Sequence, residues 1–351
     1  MTTTSSAWTK SAVRGDTMRG PAPGLEGTIP PPQPPQPPQQ SPTLEATHLG
    51  QKSTYTDKYD RTQLVAIPRN IEREKIGITG QLLPFIGVDV WNCYELSALT
   101  GTGRPWNGIC KIAVNANSPN IVESKSLKLY LNSFNMTENS TRDRMSNWLR
   151  TTIQADLTEL LGIVVDVGVW SIDEVNKVAF LEPFDLDGTS LVNLDKISTT
   201  NDPFVYNEDP SLLEDCMLPV VLPLLKSTNT PKYNVAISSA LRSNCKVTNQ
   251  PDWGTIVVAT DASSKIIDSE KLLRYITSLR HENHFHEEVC ELVYKRLSSA
   301  TSTRELAVGC FYTRRGGIDI NPIRGSNPTI IEEVFNSYSL TTGPSFKLVR
   351  Q

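Results

Sequence analysis

A thiol and a carboxylate stand seven residues apart in Ser243-Asn244-Cys245-Lys246-Val247-Thr248-Asn249-Gln250-Pro251-Asp252-Trp253-Gly254, on either side of a polar segment that ends in proline. A thiolate is a nucleophile, and a carboxylate within reach can handle the proton that accompanies its attack. Buried structural cysteines lie more often inside apolar runs, so the polar setting of Cys245 favours reactivity. One Cys near one Asp also fits a plain core or loop cysteine.

The elements that must position this pair are legible around it. Tyr233, Val235 and Ile237 alternate with polar or small residues, and Thr255-Ile256-Val257-Val258 is an apolar run, so Cys245 and Asp252 are expected on a connection between two strands. The segment 121–135 repeats at 266–280, with five identities in fifteen positions at an offset of 145. Leu127, Tyr130, Leu131 and Phe134 fall at i, i+3, i+4 and i+7, as do Leu272, Tyr275, Ile276 and Leu279, so each copy predicts an amphipathic helix. Each follows a strand-like run, Gly108 to Ala116 and Gly254 to Thr260. A second helix in each half is marked by Met145 to Leu161 and by Phe285 to Leu297, and further strands by Val165 to Val169 and Leu306 to Tyr312. The pattern predicts two related α+β domains with antiparallel sheets and helices on one face. The boundary falls in a loop-rich region from about 182 to 232, marked by Pro183, Pro203, Pro210, Pro219 and Pro223.

The copies differ where chemistry would reside. The first helix opens with Glu123-Ser124-Lys125-Ser126, the second with Asp268-Ser269-Glu270-Lys271. Free N–H groups at the first helix start, with Ser124 and Lys125, make an anion site; a capped helix with solvated lysines is the alternative. Three of the four histidines lie in His281-Glu282-Asn283-His284-Phe285-His286-Glu287. An i, i+3, i+5 set cannot point to one side of a helix, which argues against a metal site. Asn283 reads as an N-cap, leaving His286 and Glu287 at a helix start, where the dipole favours a charged carboxylate. Such a carboxylate matches the paired donors of a guanine-like base; a solvated acidic helix start is the alternative. Tyr312-Thr313-Arg314-Arg315-Gly316-Gly317 closes a strand with a fork for phosphate and glycines that let a ligand approach. No GxGxxG fingerprint exists, so a bound dinucleotide implies a fold other than Rossmann.

Composition narrows the ligand. A net charge of −4 in 351 residues argues against a nucleic-acid backbone as the main ligand and favours a small molecule. Six cysteines without a CxxC pair fit reduced thiols, and no apolar run reaches membrane-span length, so a cytoplasmic protein is expected. Ten of the 24 prolines fall between Pro21 and Pro42, which reads residues 1–48 as a disordered extension.

Four separated motifs, Glu123 to Tyr130, Ser243 to Gly254, Phe285-His286-Glu287 and Tyr312 to Pro322, together resemble the NADPH-dependent 7-cyano-7-deazaguanine reductase family of queuosine biosynthesis in its long two-domain form. The resemblance runs from about Leu49 to the C-terminus and includes Ile67-Pro68-Arg69 and Asp89 to Glu95. It implies tandem tunnelling-fold domains over 49–185 and 232–351, with 186–231 as a linker. It implies a covalent thioimide on Cys245, Asp252 as proton donor, and NADPH as the reductant. By resemblance, Val122, Glu123, Ser124, His286 and Glu287 meet the substrate, and Ser124, Lys125, Arg315 and Gly316 meet NADPH. No metal is implied, and a homodimer or larger homo-oligomer is expected. The rivals are an amidine-forming relative that uses ammonia, a zinc hydrolase on the same fold, and a non-catalytic binding protein.

Overall fold

The computed structural model describes residues 56–80, 82–172, 189–219, 231–246, 248–262 and 265–335. The proline-rich extension expected over 1–48 lies outside them, as does part of the linker expected over 186–231.

The first half begins with β1 (Ala66–Pro68) and the short α1 (Asn70–Lys75). The long hairpin of β2 (Ile86–Thr100) and β3 (Pro105–Asn115) follows, then β4 (Asn120–Val122), which pairs with β1. Next come α2 (Ser124–Asn132), the two-residue β5 (Glu138–Asn139), α3 (Arg142–Leu161) and β6 (Asp166–Ser171), which returns antiparallel to β3. After β7 (Thr189–Asn193) and β8 (Met217–Pro219), the second half runs through β9 (Tyr233–Ser238), β10 (Arg242–Cys245), β11 (Pro251–Asp261) and β12 (Lys265–Ile267). It continues with α4 (Ser269–Ser278), β13 (Asn283–His284), α5 (His286–Ala300), β14 (Leu306–Tyr312), β15 (Ile318–Gly325) and α6 (Pro328–Phe335). The series β3-β4-α2-β5-α3-β6 is answered in order by β11-β12-α4-β13-α5-β14. The protein is therefore α+β, and the repeated sequence segment corresponds to a repeated order of elements.

Local chemistry explains the helix starts. Glu123 caps α2 by accepting from the N–H groups of Lys125 (2.8 Å) and Ser126 (2.7 Å), and Asp268 caps α4 by accepting from Glu270 (2.9 Å) and Lys271 (3.2 Å). Each acidic residue supplies oxygens to backbone donors that have no partner within the helix. In both helices the Leu/Tyr stripe is turned inward: Leu127, Tyr130, Leu272 and Tyr275 are fully buried. Along α3, Met145, Leu149, Ile153, Leu157 and Leu161 are likewise buried, each such side chain contributing roughly 1.5–3 kcal/mol.

One large sheet runs through both halves in the order β13-β10-β11-β14-β15-β2-β3-β6. Its central seam is the antiparallel pairing of β15 with β2, from Ile318 opposite Cys93 to Gly325 opposite Ile86. Two apolar cores lie against it and exchange residues across the seam. Ile318 and Ile320 of β15 pack into the core of the first half, while Ile78, Phe85 and Ala116 pack into that of the second. Among the described residues no helix is long and apolar enough to cross a membrane.

Candidate active site

Cys245 and Asp252, expected on a connection between two strands, occupy the facing ends of β10 and β11, where Ser243 is opposite Asp252. The chain reverses tightly between them. Cys245 donates its N–H to the Gln250 carbonyl (2.7 Å), and Asn249 donates to the Cys245 carbonyl (2.9 Å) with a left-handed φ of 53°. Asn is among the few side chains that take this conformation readily. Cys245 is half-buried, and among the described residues its thiol makes no hydrogen bond to Asp252.

A cavity of about 290 Å³ gathers the four motifs. Cys245, Asp252, His286 and Glu287 reach it from the second half, Val122, Ser124 and Lys125 from the first, and Arg315 and Gly316 from the loop between β14 and β15. Of the residues expected at the site, Glu123 is the one left out. Both its oxygens accept from backbone donors of α2, so the N–H groups expected to bind an anion there are already taken at Lys125 and Ser126. Trp91, Lys128, Gln250, His284 and Thr313 line the cavity without having been singled out from the sequence. All five lie within stretches noted for other residues.

Asp252 is 4% exposed and held on both sides. Arg315 donates from Nη1 to its Oδ1 and from Nη2 to the Gln250 side chain (3.1 Å), and His286 Nε2 lies 3.4 Å from Oδ2. The His286 ring stacks flat on Tyr312, with centroids 3.7 Å apart and planes 7° from parallel, which fixes its orientation. The arginine loop is shaped by its glycines. Gly316 and Gly317 take φ of 53° and 79°, and a Cβ on Gly316 would meet Lys128 Nζ at 2.8 Å.

The expected N-cap at Asn283 is corrected. Asn283 and His284 form β13 and pair parallel with Asn244 and Cys245, and the N-cap of α5 is Phe285, whose N–H donates to the Glu288 carboxylate (3.1 Å). An open edge on β10 captures these two residues because their backbone groups need partners. The three clustered histidines accordingly part company. His281 faces Asn207, His284 faces Glu288 at 3.3 Å, and His286 faces Asp252. Among the described residues no group of His, Cys, Asp or Glu could hold a metal ion.

Behind Glu287 lies a lattice of buried charges. Arg324 bridges Asp89 (2.8 Å) and Glu291 (2.9 Å), Arg73 grips Glu291 with two nitrogens (2.8 and 2.9 Å), and Arg69 donates to Asp89. The arginines hold the Asp89 and Glu291 carboxyls below their ordinary range despite burial. Glu287 is the opposite case. Burial first, then the charge of Asp89, push it up to about 8, against the charged helix start expected from the sequence.

Comparison with known proteins completes the picture. Residues 55–169 match a family described as the N-terminal part of nitrile reductase, 7-cyano-7-deazaguanine reductase, and residues 251–329 match one described as QueF-like protein. The NADPH-dependent 7-cyano-7-deazaguanine reductase of Burkholderia lata is 41% identical over 280 residues, covering 80% of this chain and 93% of the relative. That of Paraburkholderia xenovorans is 38% identical over 309 residues, covering 88% of this chain and all of the relative. The chain belongs to the NADPH-dependent 7-cyano-7-deazaguanine reductase family. The reductase family is thus established independently of the cavity, and the N-terminal match includes Arg69, Asp89, Trp91 and Lys128.

Proposed function

We propose that the chain reduces the nitrile of 7-cyano-7-deazaguanine to the aminomethyl group of 7-aminomethyl-7-deazaguanine with NADPH, in queuosine biosynthesis, through a covalent thioimide on Cys245. The observation that carries the reading is the meeting of Cys245, Asp252 and Glu287 on one cavity with Lys125 and Arg315. Cys245 attacks the nitrile carbon, forming the C–S bond as one C–N π bond opens. The thiol proton passes by way of Asp252 to the nitrile nitrogen, so no charge accumulates. A free thiol has a pKa of about 8.5, leaving only a few per cent thiolate near neutrality, which is why a proton-handling neighbour matters. Asp252, engaged by Arg315 and His286, is an acceptor ready for that proton.

The residues present fit NADPH. Its phosphates call for cations, supplied by Lys125, Lys128 and Arg315, and for close backbone approach, offered by Gly316 and by Ser124 at the start of α2. When bound, NADPH supplies hydride to the former nitrile carbon, twice in succession from two molecules. Across the reaction the substrate takes up two hydrides and two protons, and Cys245 leaves as the thiol it began as. Glu287, which shares the cavity lining with His286 and Val122, is the carboxylate suited to the base edge, because Glu123 caps α2 and does not line the cavity.

The same reading takes 49–185 and 232–351 as tandem tunnelling-fold domains, supported by the twice-repeated element order. It also includes a cytoplasmic location and assembly as a homodimer or larger, which sedimentation of the full chain would reject by giving a single monomeric species. The deciding experiment is the intact mass after incubation with 7-cyano-7-deazaguanine without NADPH, beside Cys245→Ala. A stoichiometric adduct, absent from the control and discharged by NADPH as the aminomethyl product, is expected. Discharge by ammonia alone would indicate the amidine-forming chemistry, and no adduct would reject the mechanism.

A further inference from the structure

Glu287 is 3% exposed and lines two spaces at once, the substrate cavity and a recess of about 30 Å³ behind it. Among the described residues its Oε1 has no hydrogen-bond partner, although it is buried. A buried carboxylate oxygen without a donor is costly, whereas a neutral carboxyl there is much less so.

The charges around it come from every packed element. Asp89 on β2 repels a negative Glu287, while Arg69 before α1 and Arg324 on β15 attract it. Glu291, one turn along α5, is matched by Arg73 and Arg324. On the recess side, His284 and Glu288 face each other, and Lys246 joins Glu288 to Glu72, which also holds Lys75. On the cavity side, Asp252 is matched by Arg315, and Lys125 and Lys128 add positive charge. The lattice itself counts three arginines, Arg69, Arg73 and Arg324, against two carboxylates, Asp89 and Glu291. One buried cation is therefore in excess, and a charged Glu287 would neutralise it.

Resting on the base-binding role given to Glu287 above, we propose that Glu287 waits as a neutral carboxylic acid and becomes a carboxylate only when the base docks, so that substrate capture expels one proton from the protein. The edge of a guanine-like base presents two adjacent donors. A carboxylic acid offers one acceptor and one donor, and its donor would oppose one of them; a carboxylate accepts both. One of the two new hydrogen bonds gives the unpartnered Oε1 a donor, and the arginine excess stabilises the charge that forms. The proton released is distinct from those consumed at the nitrile, because this exchange happens before any chemistry. The placement of Glu287 on the substrate side and of the lattice behind it thus makes base recognition a charge-forming event. A ligand lacking the paired donors gives Glu287 no reason to ionise, which sharpens discrimination against other bases.

The test is calorimetric titration of the full-chain Cys245→Ala variant with 7-cyano-7-deazaguanine, in buffers of different ionisation heat. At pH 7 close to one proton should be released per ligand bound, and at pH 9.5 close to none, with affinity rising about tenfold per pH unit between pH 6 and 7.5. A folded Glu287→Gln version of the same variant should bind more weakly and release no proton. Binding without proton release at pH 7, or release that persists at pH 9.5, overturns the inference while leaving the substrate assignment standing. Absence of binding at every pH overturns the substrate assignment and this inference with it.

Discussion

Replacing Glu287 by Gln should stabilise the unliganded protein by an amount that grows with pH. In the unfolded chain this carboxyl titrates near its ordinary 4.5, and in the folded protein it is pushed up to about 8. Below about pH 4.5 both states hold the proton, and Glu287 costs the fold nothing through ionisation. As pH rises, the unfolded state loses the proton first and gains stability relative to the native state, at about 1.4 kcal/mol per pH unit. The loss stops growing once the folded group also ionises, near pH 8. The whole interval corresponds to roughly 4–5 kcal/mol. Gln does not titrate, so the stability difference, variant minus parent, should climb through this window and flatten above it. Urea unfolding of both proteins at pH 5, 6, 7 and 8, followed by tryptophan fluorescence, measures the difference directly from midpoints and slopes. Two parallel stability profiles, or a gap that narrows with rising pH, would refute the reasoning about what surrounds Glu287. Any steric penalty of the amide is the same at each pH and leaves the slope intact.

Two other perturbations have expected outcomes. Asp252→Asn should keep non-covalent substrate binding while slowing thioimide formation by about 10²–10⁴, the usual worth of a positioned acid or base; stopped-flow or mass-resolved capture at normal speed would remove Asp252 from the mechanism. Arg324→Met leaves Asp89 and Glu291 buried with fewer partners and should cost about 3–5 kcal/mol in urea unfolding, with the deficit shrinking as acid protonates those carboxylates; a cost below about 1 kcal/mol would show the lattice to be replaceable. The sign follows from their lowered pKa values, since the stability they lend is present above the ordinary carboxylate range and is lost as pH falls.

Much of this architecture can be read from local patterns. The stripes Leu127-Tyr130-Leu131 and Leu272-Tyr275-Ile276 mark α2 and α4 because helix periodicity and burial coincide there. The acidic residue before each helix was equally visible, but a carboxylate at that position looks the same whether it caps the helix or faces a ligand. Only the geometry assigns Glu123 to its own backbone. β13 escaped notice since two residues carry no periodicity, and its pairing with β10 is what sets His284 opposite Cys245.

Burial of Glu287, more than its place at a helix start, governs its proton, for an energetic reason. A helix N-terminus favours a carboxylate by about 0.3–1 kcal/mol at an exposed position, whereas removing a carboxylate from water costs several kcal/mol. Exposure decides between these, and exposure here depends on residues far away in sequence. Arg73 and Glu291 are 218 positions apart, and Arg69 before α1, Asp89 on β2 and Arg324 on β15 are likewise separated along the chain. No window along the chain contains that set. The seam between β2 and β15 brings it together, and the same seam sets the Lys125 side of the cavity against the Cys245 side. The lattice therefore does two things through one set of contacts: it locks the halves in the register that completes the cavity, and it surrounds Glu287 with the charges that govern its proton. A substitution in the lattice should accordingly disturb base binding and global stability together, while a substitution at Cys245 should disturb neither.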